Sequence, residues 1–514
     1  MTANGLEQAV NAHRKGDLEA AERGYRELLE RDPKNPQVLG LLGAVAFARK
    51  RYDEAEGLFS LALAADPAQR DAAFNLARVD EVRGDVGRAI ERYRTLVERD
   101  PSDLPAWNRL GLVLAEQGEY ADAADAIGKL LWHAPQDRQA AYLLGAIEDA
   151  WGRACVDAGD FARAETLFRS AASHIPNRAD PHANLSFLYH ILGRVDDAVA
   201  AGRRAVKLER HHVQAHVNLA VSLLLGGDFR HGLREYEWRP VEREFGALMR
   251  WDGGDLRGGR LLVAREQGLG DFVLLSRFFP ELRARGARVC VELPSGAREL
   301  FAGFDGIDEP LDTIQTDLSG FAAYLPVGSI PYALELAPDR IPAPPAYLQA
   351  DPATTAAFAA AFAREGARRT VGIAWAGSPE HAMDRHRSVS LDAFAPLAQT
   401  GGITWVSLQK GDRESDEAPA GMRLLRIGDQ LANFADTAAA IAALDLVICV
   451  DTSIAHLAGA LGKPVWLLNG VGNYWLWGLR QERTPWYPSM RLFHQPAPGD
   501  WPGLFAAVAR ELQR

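Results

Sequence analysis

Apolar residues in the first 240 positions recur every three or four places in paired stretches, each closed by a glycine turn or a proline, the pattern of short amphipathic helices. Beyond about residue 260 the pattern changes. Short apolar runs such as "RLLVA", "ARVCVE", "TVGIAW", "ITWVSL", "LDLVICV" and "PVWLL" alternate with loops and helical stretches, as strands of a parallel sheet covered on both faces do. These runs predict strands near 260 to 265, 287 to 292 and 322 to 326, with helices starting near Asp271 and Ser295. A proline-rich stretch, "APDRIPAPPAYLQADP", reads as a linker at about 337 to 352, and the last segment, "WPGLFAAVARELQR", is an amphipathic helix. Two Rossmann-like halves joined by that linker form a cleft between their carboxyl strand ends, where such sheets bind ligands.

The helical half repeats. Pro33, Pro67, Pro101 and Pro135 fall 34 residues apart, as do Ala21, Ala55, Ala89 and Ala123. The period resumes with Ala164 and Ala198 and with Gly159, Gly193 and Gly227, whose earlier counterparts are Gly16, Lys50, Gly84 and Gly118. Seven units fit between about residue 2 and residue 240. A seven-residue insertion within "GAIEDAWGRACVDAG" is expected to lengthen one helix by two turns. The frame, with Tyr25, Phe59, Tyr93 or Phe168 in the second helix, resembles the tetratricopeptide repeat. That resemblance implies stacked helix pairs with a concave, polypeptide-binding face.

Two residues before the small position of each first helix stand Glu7, Leu41, Asn75, Arg109, Leu143, Asn184 and Asn218. A side-chain amide both donates and accepts, so Asn75, Asn184 and Asn218 could pair with an extended peptide whatever its sequence. The row resembles a broken form of the asparagine ladder of the O-linked N-acetylglucosamine transferases. Polar residues on a solvated helix face are the other reading.

Composition narrows the class. Hydrophobic residues make up 47% of the 514 and charged residues 24%, ordinary values for a globular chain. A formal net charge of -11 argues against a global nucleic-acid footprint while leaving room for a local basic loop. Cys155, Cys290 and Cys449 stand far apart in apolar company, as reduced core residues do. No basic flank and apolar run opens the chain, and no charge-free apolar run reaches 18 residues, so no signal peptide or membrane span is expected. The expected address is the cytoplasm.

One stretch carries chemistry, "CVDTSIAHLAGALGKP", in which a strand ends in Asp451, Thr452 and Ser453 and turns into a helix with His456 in its first turn. Open amides at such a helix start attract anions, although Asp, Thr and Ser are also common caps. With "EQGLGD", "GIAWAGSPEHAMDRHRS", "VSLQKGD" and "TPWYPSMRLFHQ", this stretch resembles the transferase half of bacterial tetratricopeptide-linked glycosyltransferases. That half is related to the lipopolysaccharide heptosyltransferases, of GT-B fold, and more distantly to the O-linked N-acetylglucosamine transferases.

The resemblance implies an α plus α/β chain: repeats over 1–240, a first Rossmann-like half over 241–345 and a nucleotide-sugar-binding half over 346–514. It places the donor phosphate against Asp451, Thr452, Ser453 and His456, with serine where the family has glycine. Arg385 and Arg387 stand in for the family's lysine, and Gln409 and Lys410 match residues that meet the nucleotide. Asp271 is the first choice for the base and Glu266 the second, while Gly268 and Gly270 permit a tight strand-to-helix turn there. No Asp-x-Asp occurs, so no metal and no cofactor beyond the sugar donor is expected.

The implied activity is an inverting, metal-independent protein O-glycosyltransferase, acting on Ser or Thr of a polypeptide held by the repeats. Relatives modify flagellin with nonulosonic sugars, so flagellin or another exported surface protein is the implied partner. Two alternatives remain. A non-catalytic scaffold is favoured by Tyr474-Trp475-Leu476-Trp477, where the family often carries Asp-Trp-Arg-Trp. A transferase acting on glycan or lipid is the other. The aromatics Trp475, Trp477, Trp486 and Tyr487 either stack on the donor or belong to the core.

Overall fold

The computed structural model describes residues 2–241, 243–266, 268–380, 384–470 and 475–514. The repeat region forms helix pairs: α1 (Thr2–Arg14) with α2 (Leu18–Arg31), α3 (Pro36–Ala48) with α4 (Tyr52–Ala65), α5 (Arg70–Arg83) with α6 (Val86–Arg99), α7 (Leu104–Glu116) with α8 (Tyr120–His133), α9 (Arg138–Asp157) with α10 (Phe161–His174), α11 (Asp180–Ile191) with α12 (Val195–Leu208), and α13 (Val213–Leu225) with α14 (Phe229–Tyr236). The small-residue frame holds them together. Ala21, Ala55, Ala89, Ala123, Ala164 and Ala198 are fully buried. At Gly43 an added Cβ would lie 2.7 Å from the Phe59 ring, so the small side of one helix receives the aromatic of the next. The insertion makes α9 a 20-residue helix where its neighbours have 13 or 14, as expected. Lys50 adopts φ 61° at the turn where other units carry glycine, a left-handed conformation that costs a side-chain-bearing residue about 1 kcal/mol.

The chain divides into two compact units, Met1–Pro181 and His182–Arg514, with α11 spanning the boundary. The second unit contains the last helix pairs and two parallel sheets. Strands β1 (Arg260–Ala264), β2 (Arg288–Glu292), β3 (Glu309–Leu311) and β4 (Ala323–Pro326) lie in the order β3-β2-β1-β4. Strands β5 (Arg369–Ala374), β6 (Ile403–Ser407), β7 (Leu424–Arg426), β8 (Leu446–Val450), β9 (Val465–Asn469) and β10 (Met490–His494) lie in the order β10-β9-β8-β5-β6-β7. Their helices are α15 (Leu269–Ser276), α16 (Phe279–Ala284), α17 (Ile330–Ala333), α18 (Pro352–Ala363), α19 (Asp384–Arg387), α20 (Ala395–Ala398), α21 (Phe434–Ala442), α22 (Ser453–Ala460) and α23 (Trp501–Leu512).

In each sheet the strand order reverses at one place, between β1 and β4 and between β5 and β8. Loops diverge at such switch points and leave a crevice at the carboxyl strand ends. The last register pair of β5 and β8, Ala374 with Cys449, makes the chain leave β5 beside the point where β8 runs on to α22.

Three expectations change. No helix starts at Ser295: residues 295–303 form turns, because Gly296 and Gly303 take positive φ and interrupt any helical run. The proline-rich linker is pinned, since the Tyr347 and Leu348 amides donate to the Ala460 carbonyl at 2.9 and 3.1 Å. Strands β3, β7 and β10 escaped the sequence reading; β3 and β7 have three residues each, too few for a periodic signal.

The end of the repeats is fused to the sheets. Leu224, Phe229 and Leu233 share one apolar core with β1, β2, Trp475 and Trp486, and Phe229 meets Trp475 edge to face at 5.6 Å. Buried Arg239 bonds Glu266 and, at 2.7 Å, the Ser329 hydroxyl, which Arg250 also reaches at 2.6 Å.

Candidate functional site

Helix α15 is the first after β1, and α22 the first after β8. At α15 the N-cap is Gly268, with φ −83° and ψ 168°, extended backbone open to any residue. Neither Gly268 nor Gly270 uses positive φ, which corrects the tight-turn expectation for both. Gly270 has another reason to be glycine: a Cβ there would lie 2.8 Å from His456 Cδ2 and 3.4 Å from Ser453 Cα. The first turn of α15, which carries Asp271, therefore rests on the first turn of α22.

At α22 the N-cap is Thr452, and its side chain makes no capping bond. The hydroxyl is buried without a hydrogen-bond partner among the described residues, and so is the Trp477 indole N–H. Buried polar atoms are nearly always paired, so two orphans beside open helix amides mark a place for a polar ligand. The run of small residues in α22 also has a cause. A Cβ on Gly459 would fall 2.5 Å from the Tyr487 ring, and Tyr487 holds His456 through a 3.0 Å contact between its hydroxyl and Nδ1.

The charges here act on one another. Burial pushes the Asp451 carboxyl up to about 6; the Trp477 indole N–H, short of full bonding geometry, and the Arg387 guanidinium oppose the rise, and Asp271 adds to it. Burial lowers His456 to about 3, helped by Arg277 and Arg387, so its imidazole is neutral at physiological pH. The Tyr487 hydroxyl meets Nδ1 at 3.0 Å, and Nε2 on the other side of the ring lies 3.9 Å from Asp451 Oδ1. Asp271, Asp451, His456 and Arg387 thus form one electrostatic cluster. Arg387 is steered by Asp384 at 3.3 Å, and Ser388 ties Asp384 to the Gly377 amide.

Arg277 is a site residue that sequence reasoning missed. It is buried at the C-cap of α15, six residues after Asp271, and bonds no carboxylate among the described residues: its guanidinium donates to the carbonyls of Leu274 (2.8 Å), Pro342 (3.0 Å) and Trp486 (2.6 Å) and to the Tyr347 hydroxyl (3.1 Å). The Tyr487 ring lies 4.7 Å beneath it. A lone charge inside "FVLLSRFF" was the available signal.

Other expected residues fall elsewhere. Gln409 is buried with its amide filled, accepting from the Trp375 and Ala376 amides and donating to the Ala376 and Lys410 carbonyls. It staples β5 to β6 and is not free to meet a nucleotide. Lys410 bonds the Gly428 carbonyl at 2.7 Å, and Arg385 is exposed. Glu266, the second choice for the base, is held by Arg239 and by the Gly328 amide at 2.6 Å, which makes it a strut. Asn218 is buried and donates to the Ala183 carbonyl at 2.9 Å, so it joins α11 to α13 instead of lining a groove. Asn184 is half-buried; Asn75 is half-buried and has no hydrogen-bond partner among the described residues. Trp475, Trp477, Trp486 and Tyr487 are all core residues, while Tyr474 lies outside the described residues.

Among the described residues no helix is long and apolar enough to cross a membrane, and no group of three or more His, Cys, Asp or Glu is placed to hold a metal ion.

Comparison with known proteins agrees with this layout. The tetratricopeptide repeat family matches residues 6–70, 74–137 and 150–209, and glycosyltransferase family 9 (heptosyltransferase) matches 417–491, which includes Asp451 to His456. Protein FlbA of Caulobacter vibrioides is 27% identical over 538 residues, covering 98% of this chain and 83% of FlbA. BBSome complex member BBS4 of Bos taurus is 24% identical, covering 43% of this chain and 42% of BBS4. Human protein O-mannosyl-transferase TMTC1 is 27% identical, covering 38% of this chain and 21% of TMTC1. Tetratricopeptide repeats in the first part and a heptosyltransferase-family segment around the Asp451 motif in the second make this chain a repeat-linked glycosyltransferase-like protein.

Proposed function

We propose that the protein transfers a sugar from a nucleotide-activated donor to Ser or Thr hydroxyls of a polypeptide held by its repeats. What supports this reading is the meeting of α15 and α22, where Asp271 in the first turn of one helix acts electrostatically on Asp451 at the start of the other, beside the Arg387 guanidinium and the neutral His456 imidazole. The acceptor oxygen attacks the anomeric carbon, its proton passes to Asp271, and the bond to the nucleotide phosphate breaks with its electrons going to the phosphate. Arg387, the first amides of α22 and the Thr452 hydroxyl stabilise that leaving group, in the role a metal takes elsewhere. His456 adds a neutral N–H donor. Asp451, titrating near 6, takes up a proton as the anion arrives.

A base on one side and a leaving-group site on the other suit a single displacement, which inverts the anomeric carbon within a GT-B arrangement. Flagellin or another exported surface protein, and a nonulosonic-acid-type sugar, are the acceptor and donor to try first, in the cytoplasm. Fusion of the last helix pair to the sheets would present the acceptor at a fixed distance from the site. The test is the intact mass of a flagellin acceptor incubated with the protein and CMP-, UDP-, GDP- or ADP-linked sugars. A mass gain that Asp271→Ala and His456→Ala abolish supports the reading; a gain unaffected by both removes it.

A further inference from the structure

A second site lies away from this cluster, on the last two helix pairs. A cavity of about 640 Å³ opens between α12, the turn after it, α13 and α14. Its floor is apolar, with Val206, Leu219 and Leu223, and its rim carries Arg203, Lys207, Arg210 and Arg234 against one carboxylate, Glu235. Glu235 is already bonded by His216. Arg203, Lys207 and Arg210 are exposed and enter no ion pair among the described residues. In a chain of net charge -11, four cations around one depression are a local reversal of sign.

The cavity also presents an aromatic platform. Trp238 is 38% exposed, and its indole stacks on the His216 imidazole at 4.0 Å and 7°. That imidazole is fixed on both sides, by Glu235 and by the Arg210 carbonyl at 3.0 Å. An exposed indole held rigid beside an apolar floor costs little ordering entropy when a ring packs against it.

We propose that this cavity docks an acidic polypeptide segment bearing an aromatic side chain, the ring on Trp238 and the floor, the carboxylates on the cationic rim. A nucleic acid fits less well, because the basic residues gather around one depression instead of following a track. The cavity is lined by α12, α14 and the His216, Leu219 and Leu223 positions of α13, whereas Asn218 of the asparagine row is buried on α13 and donates to the Ala183 carbonyl of α11, so this surface does not use the asparagine row. It does not depend on sugar transfer.

The test is fluorescence anisotropy of the full-length chain with a labelled hexapeptide of glutamates around a central phenylalanine. Saturable binding is expected, weakened about tenfold or more by Lys207→Glu with Arg210→Glu, both exposed positions. Trp238→Ala, or glycine in place of the peptide's phenylalanine, should weaken it about threefold or more. Absence of saturation, indifference to the charge reversal, or tighter binding of a labelled oligothymidine than of the peptide would overturn the proposal.

Discussion

Gly270 and His456 touch: the space a Cβ would need on residue 270 ends 2.8 Å from the His456 ring, which is itself buried and pinned by Tyr487. The close approach of α15 to α22, and with it the position of Asp271, depends on a missing methyl group. Gly270→Ala should therefore destabilise the fold by about 1–3 kcal/mol through overpacking and weaken nucleotide binding. Gly268→Ala meets nothing within 4 Å at a permitted φ and should change stability by no more than about 0.5 kcal/mol. Urea unfolding of the two variants checks the contrast.

Asp451 makes stability depend on pH. Its folded value of about 6 lies above the ordinary 3.8, so between those values the folded state binds more protons than the unfolded one. Stability from this group falls as pH rises through that window, and the full penalty is present above pH 6. Asp451→Asn should gain up to about 3 kcal/mol at pH 8 and almost nothing at pH 4. His456 works in the opposite sense, its contribution present above 6.5 and lost as pH falls toward 3. Unfolding free energies of wild type and variant across pH 4 to 8 resolve the first term.

Gln409 is expected to be structural. Gln409→Ala leaves the buried Trp375 and Ala376 amides without acceptors and should cost about 2–4 kcal/mol, read by equilibrium denaturation. Lys410→Ala, next to it and half-exposed, should cost less than about 0.5 kcal/mol.

Periodicity made most of the architecture legible. The 34-residue frame located the helix pairs, and continuous apolar runs located β1, β2, β4, β5, β6, β8 and β9, because both signals are local. Side-chain commitments were not. Asn218, Gln409 and Glu266 have the donors and acceptors a binding residue needs, but each satisfies a backbone or charge brought near by distant parts of the chain: Ala183, Ala376 and Arg239. No spacing rule reveals that. Arg277 escaped for the same reason, since its partners Tyr347 and Trp486 follow it by 70 and 209 residues. Asp271, Arg387, Asp451 and His456, singled out from the sequence, fall into one electrostatic cluster because residues tied to strand ends keep their place in the sheet whatever packs around them.

Binding of a nucleotide phosphate at the junction of α15 and α22, as proposed, is decided by isothermal titration of the full-length chain with CMP, UDP, GDP and ADP at pH 6 and pH 8. Saturable heat with at least one nucleotide is expected, stronger at pH 6 because the anion draws a proton onto Asp451, and reduced about tenfold or more by Arg387→Ala. Flat titrations with all four nucleotides at both pH values would contradict it.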